Sequence, residues 1–306
     1  MMLKKILATA ITAVSIMGVS GFAYAASTDE NEVTDSKQVA NHVPLSYENK
    51  TKAPTKFGVK GMFDKNLPMS VQARFYAPHF DAKVHTDKTS FNGGDVGFKD
   101  TLGFGNDNAP EFIFQYNRFK LDYIHVHGAG DVDANTLGRG LIVDNIRYGV
   151  NGNVHSQSDF HYLKLDITNP IVTEENYGVD WMYGLTGMYW QGKVNGQGYA
   201  VDDNGNQISA TQYEERSEKF GVPVPTLGIG GYAYIMPELK AYAQIEGLPL
   251  GGYGHFYDIE AGLHYKPIEN FGINVGYRRI EVKAHRHNDD AKLRLSGPFA
   301  GISYDF

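Results

Sequence analysis

The sequence predicts an all-β chain, a transmembrane antiparallel up-and-down β-barrel of ten strands, with eight and twelve as the alternatives. Three observations carry this. From Met69 onward apolar residues recur at every second position, the period of a strand and not of a helix. After the N-terminal stretch no segment approaches the roughly 18 apolar residues that a spanning helix needs, so any crossing uses strands. Among 306 residues there are 35 Gly, 20 Tyr and 17 Phe, an aromatic and glycine excess that suits strands better than helices.

Composition excludes several functions. There is no cysteine, so disulfides, thiolate metal sites and a cysteine nucleophile are ruled out. The formal net charge of −7 argues against nucleic acid as a partner. Mean hydropathy is negative, which excludes a bundle of transmembrane helices.

The N-terminus has Lys4 and Lys5, an apolar run from Ile6 to Gly21, and Ala23-Tyr24-Ala25. This is the pattern of a secretory signal peptide over 1–25, with cleavage before Ala26. An uncleaved anchor helix is the alternative; the small residues and the A-Y-A site favour cleavage. Residues 26–66 are polar and without period, and read as a periplasmic lead to a barrel over 67–306. A short plug or extra strand around Phe57 to Phe63 is a further option.

The wall segments follow in order. Val71, Ala73, Phe75 and Ala77 alternate with Gln72, Arg74 and Tyr76. Phe112, Phe114 and Tyr116 lead through a turn at Asn117-Arg118 to Phe119, Leu121 and Tyr123. Leu163, Leu165 and Ile167 alternate with Lys164, Asp166 and Thr168. Val179, Trp181, Tyr183 and Leu185 oppose Asp180, Met182 and Gly184. Leu227 to Ile235, Leu239 to Ile245, Tyr257 to Tyr265 and Phe271 to Tyr277 repeat the pattern. Pro223 and Pro225 are expected at a strand entrance, where a missing N–H is tolerated. Short turns at 117–118, 170–177, 236–238 and 266–270 fall on one side. Longer loops at 85–109, 128–157, 193–222, 249–255 and 284–291 fall on the other, the asymmetry of outer-membrane barrels. The second of these loops has room for a hairpin over 142–154, and Asn204-Gly205 marks a hairpin turn in the third.

Alternation predicts a lumen charge network of Arg74, Lys120, Asp122, Lys164, Asp166, Asp180, Glu246, Asp258, Glu260, Arg278 and Asp305. Charges of both signs enclosed in a narrow barrel must pair, because isolated buried charge is costly. The lumen then reads either as an ion-paired interior that stiffens the wall or as a narrow pore. Tyr123, Trp181, Tyr189, Trp190, Tyr265, Tyr277 and Tyr304 fit aromatic girdles at the membrane interfaces.

The last strand carries Ala300, Ile302, Tyr304 and Phe306 on alternate positions and resembles the closing strand of Gram-negative outer-membrane barrels. The segments Pro223 to Gly230, Tyr257 to Gly262, Gly276-Tyr277-Arg278 and Leu295 to Phe306 are similar to a family of such barrels of unassigned role. The chain as a whole resembles the OmpA and OmpW plan over about three quarters of its length. The resemblance implies an outer-membrane location, insertion by the outer-membrane assembly machinery, contact with outer-membrane lipid and lipopolysaccharide, a monomer and no cofactor. Its motifs are architectural and carry no catalytic residues. The peptidoglycan-binding domain of full OmpA proteins has no counterpart.

Two chemistries are left as minor readings. His285, His287 and Asp289 form a polar cluster with metal-ligating residue types, although a solvated surface loop explains it as well. His125, His127, His155, His285 and His287, with Asp131, Asp133 or Asp289, could sit at an outer rim, as in barrel hydrolases acting on lipid A or peptides. No signature of such enzymes is present. The function expected is a structural or surface-interaction barrel, or a narrow channel for small solutes.

Overall fold

The computed structural model describes residues 67–306 apart from 86–88, 98, 100, 104–107, 134–136, 138–139, 149–151, 203, 250 and 287–288. The signal-peptide pattern, the polar lead and the Phe57 to Phe63 segment lie outside the described residues. The described elements are strands, apart from a 3-10 turn at Gly251–Tyr253.

Ten strands form the wall. They are β1 (Met69–Tyr76), β5 (Ala109–Tyr116), β6 (Phe119–Asp133), β9 (Asn153–Thr173), β10 (Tyr177–Ala200), β11 (Gln212–Met236), β12 (Leu239–Pro249), β13 (Gly254–Ile268), β14 (Phe271–Arg286) and β15 (Asp289–Asp305). Each pairs antiparallel with the next in this order, and β15 returns to β1 with Ser70 opposite Asp305, so the sheet closes. Closure pairs every wall strand on both sides at the level where all ten meet, which is what a sheet in lipid requires. Five short strands lie off this ring: β2 (His79–His85), β3 (Ser90–Phe91), β4 (Val96–Gly97), β7 (Leu141–Val143) and β8 (Ile146–Tyr148). β2 continues the line of β1 along β15 after a break at Ala77-Pro78, with Phe80 opposite Leu295. The β7–β8 hairpin turns at Asp144 and Asn145, whose φ values of 48° and 62° suit Asp and Asn.

The short turns fall where alternation placed them; one, at Asn117, has a φ of 53°. The opposite end corrects the sequence reading. Residues 193–200 and 212–221 are strand, paired from Lys193↔Ser217 to Gly198↔Gln212. Likewise 128–133 pairs with 153–158, and 284–286 with 289–291. β9, β10 and β11 therefore run to 21, 24 and 25 residues, about twice the 9–11 needed to cross a bilayer. The predicted 142–154 hairpin is shorter, and β7 and β8 stay outside the closed ring, so the count remains ten. Pro223 and Pro225 lie inside β11, not at its entrance. β12 reaches β11 only as far as Leu227, so the prolines sit where that edge of β11 has no strand partner.

Candidate functional site: the barrel interior

Alternation along each strand puts one set of side chains inside the ring. At the level of the apolar outer band this set is charged. Arg278 on β14 donates from Nε to Asp258 Oδ1 at 3.0 Å and from Nη2 to Asp258 Oδ2 at 2.7 Å, a bidentate pair with its neighbour on β13. Its Nη1 lies 2.7 Å from Asp122 on β6 and bonds Glu111 on β5. One guanidinium thus ties together three strand groups across the lumen. Lys164 on β9 reaches Glu246 at 2.7 Å, Asp258 at 3.0 Å and Asp166 at 3.3 Å. Arg74 on β1 bonds Glu260 at 2.8 Å and stacks on Phe299, its guanidinium carbon 4.5 Å from the ring centre. Hydroxyls complete the layer: Tyr162 donates to Asp258 and Tyr242 to Glu260, both at 2.8 Å.

The residues read from sequence divide as follows. Arg74, Asp122, Lys164, Asp166, Glu246, Asp258, Glu260 and Arg278 come together in this layer, with Arg278 and Lys164 0% exposed. Lys120 borders it from the short-turn side. Asp180 and Asp305 sit lower, Asp305 bonded to Lys266 at 2.6 Å. Sequence reasoning missed Glu111, although Ile113 and Gln115 share its parity. It also missed the three tyrosines Tyr76, Tyr162 and Tyr242, which look like any strand aromatic until the ring closes. Six carboxylates face three cations here, so protons, water or Lys120 must offset the surplus.

Above and below, the interior changes. On the short-turn side a cavity of about 120 Å³ is lined by Gln72, Lys120, Lys240, His264 and Asn274 among others. On the long-strand side the lumen is filled by an apolar core that includes Phe160, Phe256, Ile280 and Leu295, each 1% exposed or less. Trp190 belongs to it: its side chain packs inward and donates to Ser158 Oγ at 2.8 Å, not into an interface girdle as expected from sequence. Gly301 allows β1 and β15 to close, since a Cβ there would strike the Ala73 carbonyl and the Arg74 side chain.

His125, His127, His155, His161 and His285 sit on the outer face of the wall. His127 bonds Asp159 at 2.8 Å and His155 bonds Asp131 at 2.8 Å, both exposed. Partial burial works against ionisation of Asp159, but hydrogen bonds from His127 and His125 hold its carboxyl below its ordinary value. His125 and His161 stack with ring centres 4.4 Å apart. Burial and the neighbouring His125 keep His161 below the usual imidazole range. His285 pairs with Asp290 rather than with its neighbours, while His287 and the side chain of Asp289 lie outside the described residues. Among the described residues no group of three His, Asp or Glu has metal-holding geometry.

No family model matches the chain, and no curated protein matches it. Solved structures do. The outer-membrane protease OmpT of Escherichia coli aligns at 11% identity over 78% of this chain and 97% of its own, with a TM-score of 0.51. The toluene transporter TodX of P. putida aligns at 11% identity over 80% of this chain and 91% of its own, with a TM-score of 0.30. Ail of Yersinia pestis aligns at 13% over 78% and 99%, with a TM-score of 0.27. Only the first is close enough in shape to bear on the fold, and at such identity it speaks to the fold alone. Together with the closed ten-strand ring and its apolar outer band, it makes this chain an outer-membrane-type β-barrel.

Proposed function

We propose that the protein is a closed, non-catalytic outer-membrane barrel that supports a tall surface-exposed sheet. The short-turn end then faces the periplasm, and β9, β10 and β11 project outward as an interaction surface. The single observation carrying this is the filled lumen: a packed apolar core stacked on a layer of charges cross-linked through Arg278 and Lys164. Side chains of both layers occupy the lumen, so the structural reading is favoured over the narrow channel.

Outer-membrane residence is supported by the lipid-ready band of Leu165, Leu227, Ile259, Val275 and Ile302 on the outer face. It brings with it lipid and lipopolysaccharide as surroundings, and a monomer as the simplest state. Ala300, Ile302 and Tyr304 on β15, and Phe306 just beyond it, are exposed on the outer face, an arrangement suited to recognition by the assembly machinery. The signal-peptide pattern supplies the export route.

A rim hydrolase is the weaker reading, although OmpT is a protease. The His–Asp pairs lie on the outer wall, and the lumen mouth beside them is packed with apolar side chains. Planar-bilayer conductance of the refolded full chain tests the proposal. Absence of discrete openings is expected; regular unitary openings would overturn it.

A further inference from the structure

Above the apolar band, the outer face of β2, β15, β14 and β13 carries an unusual row. Lys83 stands opposite Lys292, and Lys292 opposite Lys283, with His255 next across from Lys283. Lys83 and Lys283 are exposed and Lys292 half-buried, and alternation turns all three outward, since Ala82, Leu293 and Val282 face the core. Directly opposed residues have Cβ atoms about 5 Å apart, and like charges so placed destabilise a sheet. Among the described residues none of the three lysines has an ion pair.

The row below is internally balanced, and in the row above the carboxylate is hydrogen-bonded. Below lie Asp81, Arg294, Glu281 and Tyr257 in cross-strand order, with Arg279 one outward position lower. Glu281 accepts from Arg294 Nε at 3.1 Å and from Arg279. Partial burial opposes its ionisation, but these guanidinia hold its carboxyl down at about 2. Above, His285 binds Asp290. Every nearby carboxylate is thus engaged by, or opposite, an arginine or histidine. The lysines are the surplus, in a chain whose net charge is −7.

Height decides what could neutralise them. Arg279 is the first outward residue after Tyr277, the last lipid-facing aromatic of β14, and Lys283 is two outward positions further. At about 3.3 Å per residue and a tilt near 40°, that puts the row roughly 10 Å above Arg279. This is headgroup depth, beyond the acyl chains. We infer that the Lys83–Lys292–Lys283 row, flanked by His255, binds the phosphorylated sugar headgroup of an outer-leaflet glycolipid. Phosphate oxygens would bridge neighbouring ammonium groups and remove their repulsion through charge-assisted hydrogen bonds. On the opposite wall the outward lysines do not face one another: Lys193 stands opposite Gln157 and Ser217, and Lys219 opposite Gln191. The inference rests on the outward orientation proposed above, not on closure of the lumen. A conducting barrel that still bound the lipid would overturn only the closure.

The test is native mass spectrometry of the detergent-folded full chain, with heat-modifiable gel migration as the check of folding. The probes are bisphosphorylated lipid A, phosphate-free lipid A and inorganic pyrophosphate. Bisphosphorylated lipid A is expected to form an adduct whose affinity falls about tenfold or more in K83S/K283S/K292S, as for several lost charge-assisted contacts. K292E alone should produce most of that loss. H125S/H127S/H161S on the opposite wall should leave it within about twofold, as for surface changes away from the site. Equal retention of phosphate-free lipid A, or undiminished binding by the folded lysine variants, would overturn the inference. Pyrophosphate binding as tightly as the lipid would mark a free-phosphate site and overturn the assignment to a lipid headgroup.

Discussion

The two halves of this barrel are inside-out versions of each other. At the level of the apolar band the wall shows Leu165, Val275 and Ile302 to the outside and encloses Arg278, Lys164 and Asp258. Beyond Tyr277 it shows Lys283, His127 and Gln191 to the outside and encloses Phe160, Phe256 and Ile280. β6, β9, β10, β11, β14 and β15 pass from one regime to the other without interruption. The difference teaches that the alternating ladder is indifferent to which side is apolar. The surrounding solvent chooses: lipid rewards apolar side chains outside, and water rewards them inside. The upper half is therefore a water-soluble β-barrel core continuous with a membrane-embedded wall.

Substitutions can break this contrast, and the largest effect is expected inside the lower half. Arg278→Ala removes the guanidinium that holds Glu111, Asp122 and Asp258 and leaves buried carboxylates uncompensated. A loss of about 4 kcal/mol is expected in urea unfolding of the lipid-reconstituted barrel. Leu295→Ala, in the dry upper core, should cost about 3 kcal/mol by the same measurement, because a cavity is left behind. Leu165→Arg, on the lipid face, should cost about 2 kcal/mol or somewhat more. Gln191→Arg, outward on the same strand pair but above the band, should stay within about 0.5 kcal/mol. An equal cost for Leu165→Arg and Gln191→Arg would refute the placement of the lipid boundary between them.

A pH experiment sharpens the outer half further. Because the Glu281 carboxyl is held down at about 2 in the folded chain, its pairing with Arg279 and Arg294 stabilises the fold above the ordinary carboxylate range. That contribution declines as pH falls from about 4.5 toward 2. The difference in melting temperature between wild type and Glu281→Gln is expected to shrink over that window. A difference that is constant from pH 6 to about pH 2 would sink this account.

Much of the lower half was legible in the chain, because lipid imposes a strict pattern there. Leu163, Leu165 and Ile167 could only be outward if Lys164 and Asp166 were inward, and one register fixes all five. The upper half lacks that pattern and reads as loop. Its outward residues, such as Lys193, Asn195 and Gln197, are polar, and several inward ones are glycine, at 192, 196 and 198. Small inward residues give no hydrophobic signal, although they make room for Trp190, Val154 and Ile146. Trp190 reads equally as girdle or core, because an aromatic near a strand top suits both lipid interface and core.

By itself the sequence determined the strand period, the short turns, the all-β class and the parity of the charged side chains, since each depends on neighbours along the chain. Only the tertiary structure decided which charges meet, as when Arg278 joins Glu111 across 167 positions. It alone extended β10 and β11 into a tall sheet and aligned Lys83, Lys292 and Lys283 on three different strands. Cross-strand registry is set by ring closure and by packing of the enclosed core. Neither has a local signature, because the residues that meet are far apart in the chain.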